Sequence, residues 1–384
     1  MDEAFAERIA KELAKAPPHA TGALIVRLGA LRRNYKRLRE AAPSSETAAV
    51  VKANAYGLGA DRCAPALERE GCRCFFVATL EEAHALRALL PRAVIYVLNG
   101  LFPKAAAYFE KLSVRPVLGS LQEIAEFAGY SRSRSQRLPA AIHIDTGMER
   151  LGLPAYEVQG LAEVGDMLSS FRPSLIISHL VCGDLADSAK NEEQRARFEE
   201  RTAGLQGIPR SLANSAGVAL GPQFHFDVTR PGISLYGGRA QSHGANPMEP
   251  VAWLFGKVAQ LHWAEAGETV GYGATQTLKR RTRVATVCAG YADGFFRGLS
   301  ASDAREGPAG HIGEHRLPLL GRVSMDLITY DATDAPEDAV GRGGFVEILG
   351  GRVTVDDLAG FAGTIGYEAL TSLGRRYQRI YVDD

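Results

Sequence analysis

The 384-residue chain has no net charge, because 44 Lys and Arg balance 44 Asp and Glu. No overall field draws it to nucleic acid or to an anionic membrane surface, so the expected partner is a small molecule. Cysteine is scarce: Cys63, Cys72, Cys74, Cys182 and Cys288 form an odd set without the spacing of a secreted disulfide framework. That points to a reducing, cytoplasmic setting. No stretch approaches the ~18 uninterrupted apolar residues of a membrane span. The acidic start, Met1-Asp-Glu-Ala-Phe-Ala-Glu7, is unlike a signal peptide. What the chain does have in excess is glycine, 41 residues, which accumulates at tight turns and where backbone approaches a ligand.

An apolar share of 46% with 23% charged residues fits an ordinary globular protein, and 384 residues exceed what one core usually serves. Two domains are therefore expected. Phe5, Ile9 and Leu13 before Pro17-Pro18 predict a short amphipathic helix within residues 1–20, docked on its own protein. From Thr21 short β-branched runs alternate with Ala/Leu/Glu/Arg stretches. The runs are Thr47–Ala53, Cys74–Thr79, Ala93–Leu98, Val114–Leu118, Ala140–Asp145, Ser174–Leu180, Ser211–Ala213 and Ile233–Tyr236. Eight at this density predict an α/β fold, a TIM-like (β/α)8 barrel over residues 21–250, with an open doubly wound sheet as the alternative. Beyond Val251 come Gly-punctuated β segments such as Val284–Cys288 and Val346–Leu349, predicting a mainly-β C-terminal domain over 251–384.

A barrel carries its chemistry on the loops at the carboxyl ends of its strands. Lys52 ends the first run, Asp145 to Arg150 follow the fifth, His179 ends the sixth, Asn214-Ser215 follow the seventh and Gly232 borders the eighth. A lysine at the end of an apolar strand is partly desolvated, which lowers its pKa and frees the amine for Schiff-base chemistry. Asn214-Ser215-Ala216-Gly217 and Gly232 supply small donors and backbone N–H groups in the sector where barrels commonly bind phosphate. A lysine and a phosphate site on one barrel mouth suggest pyridoxal phosphate (PLP).

At this point the sequence resembles the alanine racemase family. The matching stretches are Val51–Gly57, Asp145–Gly152, Ser178-His179, Ala213–Ala216, Arg230–Ile233, Gly271–Ala274, Gly290–Gly294, Gly321–Asp326 and Gly363–Tyr367, in family order across both domains. The resemblance implies a PLP-dependent isomerase interconverting L- and D-alanine and supplying D-alanine for peptidoglycan. Lys52 would hold the cofactor and act as a base on one face of the substrate α-carbon, with Tyr272 acting on the other; inversion needs two such groups. His179 and Arg230 would support the phenol, and Arg230 would face the pyridine nitrogen, where a permanently charged guanidinium disfavours its protonation and argues against transamination. Tyr56, Asn214, Ser215, Gly232, Ile233 and Tyr367 match cofactor-binding positions. Arg150, Met325 and Tyr291 match substrate positions, and Asp326, Arg322 and, less closely, Asp184 match the substrate entrance. The resemblance also implies a head-to-tail homodimer with shared active sites. One departure stands out: many members carry a carbamylated lysine where this chain has His143.

Alternatives of other kinds are a broader or serine racemase, a decarboxylase of the same fold, and a non-catalytic PLP carrier; the Gly-Tyr-Gly and Tyr-Ala-Asp-Gly pieces and the second domain count against the last two. His311-Ile-Gly-Glu-His315 spells a zinc-protease pattern, but Gly307-Pro308, Gly310 and Gly313 disfavour the helix it needs. Cys72 and Cys74 have no second pair to complete a metal site. Gly57-Leu-Gly59 lacks the third glycine of a dinucleotide fingerprint, and Arg132–Arg137 reads as a solvated loop.

Overall fold

The computed structural model describes residues 3–163 and 165–384 and divides into two units. One comprises residues 31–235 and 239–248; the other comprises the described residues through Ala30 together with 236–238 and 249–384.

In the first unit, Ala49–Val50, Cys74–Val77, Val94–Val97, Arg115–Leu118, Pro139–His143, Arg172–Ile177 and Arg210–Ser211 form one parallel sheet in chain order. Val228–Thr229 pairs in parallel with Glu46–Thr47, which leads directly into the first of these strands. On its other side, the Asp227 N–H donates to the Arg210 carbonyl at 3.0 Å and the Arg230 N–H to that of Ala213 at 2.8 Å. These bonds close the cylinder. The eighth strand thus lies at Val228–Thr229, whereas Ile233–Tyr236, expected to be that strand, is a 3-10 turn. Pro231 has no N–H to continue a ladder, and a two-residue strand is too short to show alternation.

Phe75, Phe76, Ile95, Tyr96, Ile142 and Ile176 are buried and fill the barrel wall and interior, each stabilising the fold by about 1.5–3 kcal/mol relative to exposure. Phe76 stacks on Tyr96 with ring centroids 5.0 Å apart. Arg115 lies 5.3 Å from the Tyr96 centroid and Arg230 lies 5.9 Å from that of Phe76, so a cation–aromatic column runs from Arg115 to Arg230.

At the carboxyl ends of the strands, side chains near helix starts tie neighbouring loops together. The Glu123 carboxylate accepts the Gly119 N–H of its own loop and the Leu101 N–H of the preceding one, the latter at 3.2 Å. Glu157 accepts from Leu121 N–H at 2.9 Å. Gln194 accepts from Val181 N–H at 2.8 Å and donates to the Thr146 hydroxyl at 3.0 Å and the His179 carbonyl at 2.9 Å. A loop that would otherwise leave buried N–H groups without acceptors is thereby held to its neighbour.

The second unit is built on the long strand Ala252–Ala264, which pairs antiparallel with Thr282–Cys288, Phe345–Leu349 and Gly22–Arg27. Gly22–Arg27 also pairs in parallel with Gln378–Val382. This strand, expected within the barrel segment, therefore joins the β sheet; its run Gly-Ala-Leu-Ile-Val-Arg carries no periodicity that tells one buried strand from another. The helix Glu3–Leu13 belongs with it. Ile9 clusters with Ile25, Trp253, Phe255 and Val382, and Leu13 packs against that cluster; the side chain of Phe5 lies outside the described residues. Gly310–Ile312 and His315–Leu317 form a hairpin, so His311 and His315 sit on two strands rather than on one helix face.

Candidate active site

Lys52 follows the strand Ala49–Val50 and begins an unusual turn. Ala53, Asn54, Ala55 and Tyr56 all have left-handed backbone, with φ of 52°, 56°, 53° and 53°. For L-residues this costs roughly 1–2 kcal/mol each, so the surroundings must hold it. Gly57 closes the turn by donating to the Ala53 carbonyl at 2.8 Å, Asn54 accepts from Ala60 N–H at 2.9 Å, and Glu82 accepts from Ala53 N–H at 2.6 Å.

The turn delivers Lys52 to a cavity of about 250 Å³ that it lines with Asn99, His143, Arg150, His179 and Arg230. Burial, and then the Arg150 guanidinium, hold the Lys52 amine below the ordinary lysine range, while Glu82 pulls the other way. Arg230 is buried. One guanidinium nitrogen donates to the Ser211 carbonyl at 2.8 Å and to the Ser211 hydroxyl, and the other donates to the Ser178 carbonyl. Burial lowers its pKa to about 10, which leaves it charged near neutrality. A cation this deep and this fully bonded is fixed in orientation.

His143 is pushed down to about 4, by burial first and then by Arg230. His179 lies well below the usual histidine range for the same two reasons. Both rings are therefore neutral at pH 7. Asp145 accepts the N–H groups of Met148 at 2.9 Å, Gly147 at 3.2 Å and Glu149 at 3.3 Å. Burial raises its pKa, yet these donors outweigh burial and leave it lowered.

Next to this cavity the Ser215 hydroxyl accepts from the N–H groups of Gly232 at 2.8 Å and Ser234 at 3.3 Å, and Asn214 caps the following helix by accepting from Gly217 N–H at 2.9 Å. Gly232 is required by close approach, since a Cβ there would stand 2.2 Å from the Tyr56 hydroxyl. Tyr56, Asn214, Ser215, Gly232 and Ile233 thus gather in one unit with Lys52, His179, Arg230 and Arg150. Asp184 accepts from the Ser242 hydroxyl at 3.0 Å.

Tyr272, Tyr291, Met325 and Tyr367 lie on the β unit. Tyr272 is 68% exposed and Met325 52%. Gly271 and Gly273 flank Tyr272 with φ of 75° and 76°, and a Cβ on Gly273 would meet the Arg322 guanidinium at 2.8 Å. Tyr291 and Met325 are placed by paired backbone bonds: Tyr291 N–H donates to the Ser324 carbonyl at 3.1 Å and Ala292 N–H to that of Met325 at 3.0 Å. Arg376 holds both sides of this pair, donating to Asp293 at 2.6 and 2.8 Å and to Asp326 at 2.8 Å.

Residues 26–240 match the family described as alanine racemase, N-terminal domain, and residues 251–381 match alanine racemase, C-terminal domain. The chain belongs to the alanine racemase family. A Methylobacterium alanine racemase is 46% identical over 95% of this chain and 99% of its own length. Two Agrobacterium fabrum relatives, a biosynthetic alanine racemase at 43% and a catabolic one at 45%, each match 94% of the chain and 93% and 92% of their own lengths. Among solved structures, alanine racemase from Bartonella henselae with covalently bound pyridoxal phosphate superposes with a TM-score of 0.89 at 38% identity, covering 94% of this chain and all of that one.

Glu82, Ser211, Gln194 and Arg376 were not singled out by the sequence reading. Glu82 had a signal, since Thr79-Leu-Glu-Glu82 spells a capping box, which the structure forms. The other three carried no local pattern.

The two histidines make stability depend on pH. In the unfolded chain they take up protons near pH 6.5, whereas the folded state resists this. The folded state therefore binds fewer protons below pH 6.5, and stability, full above that value, falls as pH drops from 6.5 toward about 4, the value to which His143 is pushed. Urea unfolding across this range should show the fall, and His143→Asn should flatten part of it; an unchanged slope would mean that His143 is protonated in the folded protein.

Proposed function

We propose that this family member is a PLP-dependent alanine racemase whose two bases are Lys52 and Tyr272. The observation that carries the reading is the cavity in which a half-buried, pKa-lowered Lys52 faces a buried, charged Arg230 held by Ser211 and Ser178. The donor set suits the cofactor. A lysine amine can attach it, Arg230 offers a cation to its ring nitrogen, and Tyr56, Ser215 and the backbone of Gly232 and Ile233 offer a phosphate cradle, with Asn214 fixing that loop. When bound, PLP supplies the electron sink that makes the α-proton of an amino acid removable.

The residues of the chain do the rest. Arg150 receives the substrate carboxylate together with the backbone at Met325 of the partner subunit, and Tyr291 of the partner subunit narrows the approach. His143, neutral and beside Arg150, takes the place of the carbamylated lysine of other members. Lys52 takes or returns the proton at one face of the α-carbon and Tyr272 does so at the other, so that removal on one side and return on the other inverts the centre. The exposure of Tyr272, Tyr291 and Met325 on a single chain supports a homodimer in which Tyr272 of the partner subunit completes each site. A cytoplasmic setting and a role in supplying D-alanine for peptidoglycan complete the reading. Balanced charge suits a small zwitterion.

The direct experiment is polarimetry. Purified protein loaded with PLP should show the visible absorption of a lysine-bound cofactor and should bring L-alanine and D-alanine to the same zero rotation. No visible band after PLP addition, or no change in rotation, would refute the assignment. Racemisation of serine at a rate equal to that of alanine would favour the broader-specificity alternative.

A further inference from the structure

We infer that Glu82 is a positioning residue for Lys52: its carboxylate pins the left-handed turn that aims the amine into the cavity. The inference rests on Lys52 holding the cofactor, and goes beyond it by naming what fixes Lys52.

The geometry divides the carboxylate between two tasks. One oxygen, Oε2, accepts from Ala78 N–H at 2.8 Å and from Thr79 N–H at 3.4 Å, closing the capping box at the start of the helix Leu80–Leu89. An ordinary cap would stop there. The second oxygen, Oε1, instead leaves its own loop and accepts from Ala53 N–H at 2.6 Å. That N–H belongs to the peptide joining Lys52 to Ala53, so the bond fixes the peptide plane from which the lysine side chain departs. It is short and charge-assisted, among the stronger hydrogen bonds available to a backbone amide.

Three facts make this contact more than packing. It falls on the first of four consecutive left-handed residues, none of them glycine, where backbone left to itself would revert to right-handed or extended conformations. It repeats a pattern around the barrel mouth, since Glu123 reaches back to Leu101, Glu157 to Leu121 and Gln194 to Thr146, and the Glu82 link ends on the peptide that carries Lys52. It also places a negative charge close enough to Lys52 to oppose the effects of burial and of Arg150 on the amine. Glu82 thus acts on Lys52 by both orientation and charge, without touching the reacting atoms.

Glu82→Ala, Glu82→Gln, Lys52→Ala and, as a control on a neighbouring loop, Glu123→Gln separate these effects. In the cofactor-free protein, hydrogen exchange at the amides of residues 53–57 and the pH dependence of Lys52 acylation, read by mass spectrometry, are measured alongside PLP affinity, kcat and KM. Glu82→Ala should exchange these amides at least tenfold faster, bind PLP roughly 10–100-fold more weakly and lose a similar factor in kcat with KM nearly unchanged, as expected for a displaced reacting group. Glu82→Gln can keep the Ala53 bond through its amide oxygen, so exchange should stay near wild type while the midpoint of Lys52 acylation moves to lower pH, as it should in Glu82→Ala. Glu123→Gln should leave the Lys52 readouts unmoved. Wild-type exchange and acylation profiles in Glu82→Ala would overturn the inference. Should that variant fail to fold, an unmoved acylation midpoint in Glu82→Gln would do so. A visible PLP band surviving in Lys52→Ala would instead sink the reading of Lys52 itself, leaving the exchange result to decide whether Glu82 holds the turn.

Discussion

Lys52→Ala is expected to abolish racemisation, lowering kcat/KM for alanine by about 10⁴-fold or more in both directions, because the attachment point and one of the two bases leave together. The protein should nevertheless fold. Lys52 is half-buried with its charged form disfavoured by burial and by Arg150, so its removal relieves a desolvated charge, and a loss of stability is not expected from this side chain. The thermal transition of the cofactor-free variant should therefore match or exceed that of the cofactor-free wild type. Cofactor titration should show no lysine-bound visible band, although weak binding through the phosphate cradle can persist. Residual racemisation within tenfold of wild type would mean that another amine carries the cofactor, and Lys52 would then be only a buried cation.

Tyr272→Phe carries the second large effect. A positioned acid or base is typically worth 10²–10⁴-fold, and the substitution removes one oxygen while keeping the ring. A fall of about 10³-fold in racemisation is expected. The side chain is 68% exposed, so the variant should lie within about 0.5 kcal/mol of wild-type stability, and the loss cannot be assigned to unfolding. With Lys52 intact, one face of the α-carbon remains served. In D₂O, one alanine enantiomer should therefore exchange its α-proton without inverting, much faster than the other. Exchange without inversion, followed by NMR and polarimetry on the same sample, distinguishes loss of one base from general damage to the site. Equal racemisation rates for variant and wild type in both directions would remove Tyr272 from the mechanism.

The sequence made the barrel legible because seven of the expected runs, from Thr47–Ala53 to Ser211–Ala213, each overlap a strand of the parallel sheet and alternate with helix-forming stretches. The closing strand was misplaced because Val228–Thr229 is only two residues long and stops at Pro231, while the longer apolar run Ile233–Tyr236 lies just beyond it. Gly22–Arg27 could not be allotted to a domain from its own composition, since a fully buried strand looks alike in either sheet. Lys52, Arg230 and the Ser215–Gly232 cradle were reached from strand ends and from motif resemblance together. The residues that hold them were not, because Ser211, Gln194 and Arg376 act through contacts between elements far apart in the chain. Glu82 lies between: its capping role is a local rule, but its reach to Ala53 crosses from one βα loop to the previous one.

The pairing of Gly22–Arg27 with Gln378–Val382 sets a timetable for synthesis. Leu24, Ile25 and Val26 leave the ribosome early, yet Ala252–Ala264 on one side of their strand and Gln378–Val382 on the other are made only much later. At ~5–20 residues per second the last partner follows tens of seconds behind. The barrel segment between them can complete its own local contacts in that interval, while an apolar strand with two open edges waits, a template for pairing with the same strand of another nascent chain. Of these three strands, Gly22–Arg27 is thus made first and fully paired last.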